Sequence, residues 1–295
     1  MALACLLTVV LALARLDIVT AAMRDALHLC ATAVVPSLFP FMVLTSLLLS
    51  NAKAVSLLSL LARPIARLLG LSGTGAVAFL FGTLFGFPIG AKVVAEGVTN
   101  GSISREEGER LLLFSNNASP AFLIGSVGLG ALGSAKIGVF LFFLQFFVSL
   151  TVGILTRKSG MVYQNGAFTS RPRHLTDAVR DAIPQILAVC GYILFFSVLS
   201  ALLTSPIPAL PLRALLYSLF ELGSGCAYAS RLAPPVSVAF CGFSVCFSGL
   251  SVYFQCKDAI RDTSLTMREY LPVKLLCGTA AALLCYLGCV LSVFG

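Results

Sequence analysis

Two polar interruptions in the first half of the chain carry the residue types that could bind a small solute. Gly86-Phe87-Pro88-Ile89-Gly90 breaks one apolar segment, and Ser115-Asn116-Asn117-Ala118-Ser119-Pro120 breaks the next. An irregular backbone at membrane depth leaves unpaired amides and carbonyls, so it occurs where protein or a watery cavity satisfies them. Two interrupted segments close together therefore predict a polar ligand site inside a membrane protein.

Lys92 is the candidate for contact with an anionic substrate. It lies just beyond the first interruption, and the amides of the helix that follows Gly90 would support the same negative charge. The alternative is an intramembrane ion pair with Glu96 at i+4, because a membrane-embedded charge costs several kcal/mol unless it is paired or hydrated. Both interpretations stay open.

The second interruption offers uncharged hydrogen-bonding groups. Asn116 and Asn117 each provide donors and acceptors, and with Ser115 and Ser119 they could bind a carboxylate, a base or a sugar. Alternatively, these side chains satisfy the freed backbone of the first interruption. The predicted substrate-binding residues, with weaker counterparts from the second half, are Gly86, Pro88, Gly90, Lys92, Ser115, Asn116, Asn117, Ser119, Ser248, Ser251 and Gln255.

Composition places these residues in a membrane protein. Of 295 residues, 58% are hydrophobic and 11% charged, against about 25% charged in soluble proteins. The net charge of +8 is dispersed over loops, which is typical of anchoring at lipid head groups and not of nucleic-acid binding. Most of the ten cysteines lie in apolar runs without ligand spacing, so no metal or cofactor is predicted. Nucleophile-elbow, Walker and HExxH motifs are absent, so no enzyme activity is expected.

The first half reads as a series of spans around a hairpin. The expected order is a retained span at Met1–Ala14 (rather than a cleaved signal peptide), a span at Ala26–Ser50, an interfacial segment at Lys53–Gly70, a re-entrant hairpin at Gly73–Gly97, a broken helix at Leu111–Leu132 and a span at Ala135–Thr156. The basic loop from Arg157 to Arg180 then divides the chain.

The second half is predicted to repeat this order. It predicts a span at Asp181–Leu203, an interfacial segment at Pro206–Gly225, a second hairpin at Pro235–Gln255 and a span at Leu271–Phe294. Gly86–Ile89 aligns with Gly249–Val252. Three crossings separate the two repeats, so the second is inverted and its basic connecting loop is expected in the cytoplasm. The predicted units are 1–25, 26–156, 157–180 and 181–295.

The predicted fold is thus an all-α polytopic membrane protein. It is an inverted repeat with two re-entrant helical hairpins and two broken transmembrane helices, an arrangement that many secondary transporters build around a midplane site.

An ordered set of motifs resembles the YlbJ (SpoVV) family of sporulation integral membrane proteins, which carry the nucleoside recognition or Gate domain. The resemblance covers nearly the whole chain, and its motifs are Val35–Phe41, Gly86–Lys92, Ile103–Glu107, Arg110–Leu112, Phe114–Asn117 with Ser119-Pro120, and Gly249–Val252. Phe87 stands where the family often has tyrosine.

The resemblance implies a protein of an endospore-forming bacterium, placed in the mother-cell-derived membrane around the forespore. It implies movement of dipicolinic acid towards the spore, and an architecture similar to concentrative nucleoside transporters. The leading hypothesis is a transporter for a small polar anion, with dipicolinate as the first candidate substrate. A nucleoside-type transporter and a non-transporting structural or assembly protein are the alternatives. Lipid is an expected partner; a homo-oligomer or other spore membrane proteins are compatible with the chain, as are ion-coupled transport and facilitated diffusion.

Overall fold

The computed structural model describes residues 2–157 and 173–291. Within these ranges the chain consists of helices and their connections, with no strand. Apolar segments in lipid must satisfy every backbone amide and carbonyl internally, and the helix does so within one segment. The predicted all-α polytopic membrane fold is confirmed.

The first half contains nine α-helices and two π-helical segments. These are α1 (Ala2–Ala14), α2 (Leu16–Leu29), a π-helical turn (Cys30–Val34), α3 (Val35–Leu49), α4 (Ala52–Leu61), α5 (Arg63–Leu69), α6 (Gly73–Leu84), α7 (Ile89–Thr99), α8 (Arg105–Leu112), a π-helical segment (Phe122–Ala131) and α9 (Ala135–Leu155).

The described part of the second half contains six more. These are α10 (Leu175–Thr204), α11 (Leu210–Phe220), α12 (Leu222–Ala229), α13 (Val236–Phe247), α14 (Gly249–Ala259) and α15 (Tyr270–Val290). Most of the predicted loop 157–180 lies outside the described residues, and α10 begins inside its end, at Leu175.

Five stretches of the described chain are long and apolar enough to cross a membrane. They are Leu16–Leu49, Ala135–Leu155, Leu175–Thr204, Val236–Ala259 and Tyr270–Val290. The first joins α2, the π-helical turn and α3 into one helix of 34 residues, so residues 16–25 belong to this span and not to a connector. At 13 residues, α1 is shorter than the roughly 20 residues that a crossing needs.

The first hairpin lies where its sequence predicts. The helices α6 and α7 run antiparallel, and the chain reverses between Phe85 and Pro88, with Gly86 at a φ of +92°. Nearly every residue of α6 is buried, as expected for a helix that is apolar all round. Gly90 lies in the first turn of α7 and not in the reversal.

The first broken helix also lies where its sequence predicts. Here α8 begins at the cap Ser104, whose Oγ accepts from the Glu107 amide at 3.2 Å. The Glu107 carboxylate does not complete a capping box; it accepts from the Ser72 amide at 2.7 Å and joins α8 to the first hairpin. The helix ends at Leu112, and the chain is irregular up to Ser119 before the π-helical segment begins.

The second hairpin is formed by α11 and α12, so the predicted interfacial segment at Pro206–Gly225 is wrong. The two helices run antiparallel, since the rings of Tyr217 and Tyr228 stack with centroids 3.8 Å apart and Gly225 packs on Ser218. The chain reverses at Glu221, which has an extended backbone.

The predicted second hairpin at Pro235–Gln255 is a broken span instead. The helices α13 and α14 continue as one stretch of 24 residues, interrupted at Ser248 and Gly249, whose φ angles are +74° and +78°. Two left-handed residues in succession interrupt the helix here without reversing it. The alignment of Gly86–Ile89 with Gly249–Val252 therefore matched a hairpin tip to a helix break.

The inverted repeat follows from the corrected elements. The pairs are α2–α3 with α10, the hairpin α6–α7 with α11–α12, the broken helix α8–π with α13–α14, and α9 with α15. The five candidate spans and the first broken helix, counted as one further crossing, give three crossings in each half. The two hairpins therefore insert from opposite ends of the bundle. We call the end with loops 50–72, 100–104 and 260–269 the basic end, because it holds Arg63, Arg67, Arg105, Arg157, Arg261 and Arg268.

The loop 260–269 contacts the first half at the basic end. The amide and hydroxyl of Thr266 both donate to the Glu109 carboxylate, at 3.2 and 3.1 Å. A hairpin at Pro235–Gln255 would have returned this loop to the opposite end, with Arg213 and Arg231. In the structure Arg261 and Arg268 lie at the basic end, and not at the opposite end as the predicted hairpin would require. This location increases the charge asymmetry that orients membrane proteins.

A labelling experiment tests this topology. In membrane vesicles, Asp262→Cys and Glu106→Cys are expected to react with a membrane-impermeant thiol reagent from the same face, and Lys136→Cys from the opposite face. All three native side chains are exposed. Reactivity is measured as the increase over the parent protein, whose described thiols are buried or half-buried. Labelling of Asp262→Cys together with Lys136→Cys would contradict the broken-span topology.

Candidate functional site

A small cavity lies where both hairpin tips meet the first helix break and the helix α14. We call it the central cavity; its volume is about 30 Å³, room for one or two water molecules. Its principal lining residues are Ser37, Leu38, Gly86, Phe87, Ala118, Ser119, Glu221, Leu222 and Gln255. The tips of both hairpins, the first break, α3, α10 and α14 thus all contribute to a single site.

Asn117 holds the first tip against the first break. Its carbonyl accepts from the Phe87 amide at 2.9 Å. Its side-chain amide donates to Thr83 Oγ1 at 3.2 Å and to the Phe114 carbonyl at 3.0 Å, and its Oδ1 accepts from Ser149 Oγ at 2.8 Å. Every polar group of this side chain is therefore used within the protein, which supports the alternative role of satisfying the hairpin and break.

Gly82 and Gly90 allow the hairpin to pack directly on the broken helix. Their Cα atoms face each other across α6 and α7, and the carbonyl of Ser115 lies against both. A Cβ on either glycine would overlap this carbonyl oxygen. Gly90 and Ser115 thus form the packing of the break and do not line the central cavity.

Gln145 completes the break from α9. Its Oε1 accepts from the Ala118 amide and its Nε2 donates to the Ala118 carbonyl, both at 3.1 Å. The side-chain amide replaces the backbone partners that a continuous helix would supply, which is how irregular backbone is tolerated at membrane depth.

Lys274 is a buried ammonium at the same break. It is 3% exposed, and its Nζ donates to the Asn116 carbonyl at 2.9 Å and lies 5.7 Å from the Tyr270 ring centroid. No carboxylate of the described residues forms a salt bridge with it. Sequence analysis overlooked this residue, although a lysine in an apolar span is itself a signal of function.

The side chain of Asn116 has one hydrogen-bond acceptor without a partner among the described residues. Its Nδ2 donates to the Leu112 carbonyl at 3.1 Å, whereas its buried Oδ1 has no hydrogen-bond partner within the described chain. The residue therefore presents both an occupied carbonyl and an open acceptor beside the break.

The second break has a simpler arrangement. Ser248 Oγ donates to the Val245 carbonyl at 3.2 Å, and Ser251 Oγ accepts from Gln255 Nε2 at 3.0 Å. Gln255 Oε1 is buried and has no partner in the described residues. Of these three predicted site residues, the structure places Gln255 on the central cavity, and Ser248 and Ser251 behind it.

Lys92 and Pro88 line a separate, wider cavity at the basic end. This basic vestibule has a volume of about 210 Å³ and shares Gln255 with the central cavity. Lys92 Nζ donates to Gln185 Oε1 at 2.9 Å and is 4.0 Å from Glu96 Oε1. Lys92 is thus held mainly by an amide and only loosely by the predicted ion pair, and it faces the approach to the site.

A second vestibule opens towards the opposite end. Its volume is about 720 Å³, and it shares Leu29 and Ser37 with the central cavity. Its polar lining includes Asp25, His28 and Ser224. The central cavity therefore lies between two vestibules that open at opposite ends of the bundle.

Glu221 is the acidic group of the central cavity. It is 4% exposed, and its carboxylate accepts from the amides of Gly223 and Ser224 at 3.0 and 2.5 Å, capping α12. Glu221 is absent from the predicted site because its segment was assigned as interfacial, which is wrong. Its sequence context did carry a signal, since a carboxylate that directly follows an apolar run and precedes Gly and Ser fits a helix cap.

The predicted site residues thus fall into three groups. Gly86, Ser119 and Gln255 line the central cavity, and Pro88 and Lys92 line the basic vestibule. The remaining predicted residues, which build the tips and breaks, are Gly90, Ser115, Asn116, Asn117, Ser248 and Ser251. Within the described chain, no group of three or more His, Cys, Asp or Glu side chains could hold a metal ion.

Comparison with known proteins gives one curated relative. The chain is 27% identical to the sporulation integral membrane protein YlbJ of Bacillus subtilis (strain 168), over an alignment of 311 positions that covers 88% of this chain and 75% of the relative. No family model matches the chain, and no solved structure matches it.

Proposed function

We propose that this chain, which is similar to the sporulation integral membrane protein YlbJ of Bacillus subtilis, transports a small polar anion across a membrane during sporulation. The observation that carries the proposal is the central cavity, where the tips of two inverted hairpins meet the first helix break and α14 between two vestibules. Inverted repeats of this kind allow alternating access to a midplane site.

Dipicolinate is the substrate we propose, in line with the family resemblance of the motifs. Its carboxylates need hydrogen-bond donors, and Ser37, Ser119 and the amide of Gln255 line the cavity. The cavity has a volume of about 30 Å³, which is too small for dipicolinate, so the hairpin tips would have to move apart to admit it. Lys274 supplies positive charge: its partner Asn116 lies two residues before Ala118, about 7 Å along an extended chain. At roughly 10 Å and an effective dielectric constant near 20, an ammonium attracts a carboxylate by about 2 kcal/mol.

Lys92 has a different role in this proposal. It lies in the basic vestibule, so it would raise the local concentration of an anion before the anion reaches the central cavity. The basic end would face the mother-cell cytoplasm by the positive-inside rule, in the mother-cell-derived membrane around the forespore.

A nucleoside is the second candidate substrate. The described lining of the central cavity contains no lysine or arginine, and Ser37, Ser119 and Gln255 are uncharged, which favours a neutral polar solute. The structural or assembly role is the third candidate; the presence of a cavity between the tips weighs against it.

Uptake into liposomes that hold the purified protein tests these proposals. Saturable uptake of dipicolinate is expected, with weak competition by nucleosides. Gln255→Leu should lower the maximal rate about tenfold, since a hydrogen bond to a charged group contributes about 1.5–3 kcal/mol. Lys92→Ala should raise KM several-fold and leave the maximal rate nearly unchanged.

Lys136→Ala, at an exposed lysine of the opposite end, is the matched control, and thermal unfolding in detergent verifies that each variant is folded. Strong competition by nucleosides would favour the neutral substrate. Absence of saturable uptake of either solute, under proton or sodium gradients, would favour the structural role.

A further inference from the structure

Glu221 is a carboxylate at the centre of the bundle without a cationic partner. It lines the central cavity and is bound by two backbone amides of α12. Among the described residues, no basic side chain forms an ion pair with it. The two amides and the helix N-terminus stabilise the ionised form, whereas the apolar surroundings favour the protonated form. Among the described residues, the charge of this carboxylate is therefore balanced by backbone amides and not by a basic side chain.

The position of Glu221 connects it to water on one side. The residues whose amides bind the carboxylate, Gly223 and Ser224, also line the 720 Å³ vestibule. Asp25 and His28 are polar side chains of the same vestibule. Gln255, from the opposite wall, separates the central cavity from the basic vestibule.

Other titratable groups near Glu221 do not take over its proton. Cys30 of the π-helical turn and Cys226 of α12 interact electrostatically with the carboxylate, and Cys190 of α10 lies against Cys30. A thiol is a far weaker acid than a carboxylic acid. The lining contributed by α10, α3 and α14 carries no charge in the described structure: Val189, Ile193, Ser37, Leu38 and Gln255.

The negative charge of the proposed substrate makes the protonation of Glu221 important for binding. An anion in the central cavity would lie beside the Glu221 carboxylate, and like charges at short distance repel each other strongly where water is excluded. Protonation of Glu221 removes this repulsion and creates a donor for a substrate carboxylate. After the substrate has been released, loss of the proton returns Glu221 to its charged form. The charged carboxylate then repels the next anion until a proton binds again.

We propose that Glu221 is a proton-binding site that couples movement of the anion to movement of a proton in the same direction. The proposal rests on the transport function proposed above. One proton adds to the Glu221 carboxylate with each bound anion and leaves to the other side with it, so no other reactant is needed. Substrate and proton affinities are then linked, each increasing the other.

Uptake of dipicolinate into proteoliposomes at constant external pH, with internal pH varied, tests the coupling. External substrate keeps the same charge throughout. An alkaline interior is expected to accelerate uptake by the parent protein at least about fivefold, the lower range of typical coupling between two ligands. Glu221→Gln should abolish this response while saturable uptake remains, and Glu221→Asp should restore part of it.

Glu106→Gln is the matched control, because Glu106 is exposed on α8; it should respond to internal pH as the parent does. A Glu221→Gln variant that keeps the full response would overturn the proposal, as would a parent response to a sodium gradient alone.

Infrared spectroscopy of the purified protein during a pH titration separates this proposal from the transport function. All twelve Asp and Glu side chains contribute a carboxylic-acid carbonyl band on acidification. The band of Glu221 is therefore the one that the parent protein shows and Glu221→Gln lacks in the difference between their two spectra. If dipicolinate is not taken up at all, the transport proposal fails, and the presence of this band still establishes a proton-binding Glu221. A band unchanged by the substitution overturns the proton-binding site.

Discussion

Replacement of Lys274 by methionine is expected to lower dipicolinate uptake more than about tenfold, since the lost attraction is about 2 kcal/mol. The same variant should unfold at a temperature no lower than that of the parent protein. A buried ammonium costs several kcal/mol in a membrane, and its removal offsets the roughly 1–3 kcal/mol lost when the Asn116 carbonyl loses its donor.

The comparison of anion uptake with the unfolding temperature distinguishes a functional from a structural role of Lys274. Loss of anion uptake with retained or increased stability is the signature of a charge kept for function. Lys136→Met, at an exposed lysine, should change neither property. A fall in the unfolding temperature with normal uptake would instead show that Lys274 only stabilises the first break through its hydrogen bond to Asn116.

Replacement of Gly82 by alanine is expected to destabilise the folded protein by about 3 kcal/mol or more, at the upper end of overpacking effects. The added Cβ would overlap the Ser115 carbonyl and press on the Gly90 Cα at 2.9 Å. Backbone atoms at a close-packed junction cannot move aside as a side chain can. The loss is measured as the amount of monodisperse protein and its unfolding temperature in detergent.

Gly191→Ala is the matched control for Gly82→Ala. Gly191 also lies in a long helix, α10, but a Cβ there meets no atom within 4 Å. Alanine should therefore be neutral or slightly stabilising, because it has the higher helix propensity. Equal stability of the two variants would show that the first hairpin does not pack directly on the break.

Local residue types account for the parts of the fold that sequence analysis predicted. The first hairpin and the first break are marked by Gly, Pro and Asn within apolar segments, and these residues interrupt helices by their own geometry. The Ser104 cap is equally local. For these elements the helix-breaking and helix-capping residues predict the boundaries, and the structure agrees with them to within a few residues.

The reversal of the second hairpin lacks such helix-breaking residues. Its reversal at Phe220–Leu222 contains no glycine or proline, and its helices are held together by the Tyr217–Tyr228 stack and the Ser218–Gly225 contact. A Cys-Phe-Ser-Gly segment elsewhere resembled a tip more closely. Apolar patterns of a broken span and of a hairpin are the same, because both are buried all round.

The sequence by itself determined the all-helical membrane fold, the inverted order of its halves and the location of the first tip and break, since hydropathy and helix-breaking residues act locally. Only the tertiary structure decided which residues surround the site. Lys274 meets the Asn116 carbonyl across 158 positions of sequence, and Glu221 reaches the central cavity only because α11 and α12 fold back. These pairings depend on helix packing between the two repeats, and no local pattern encodes it.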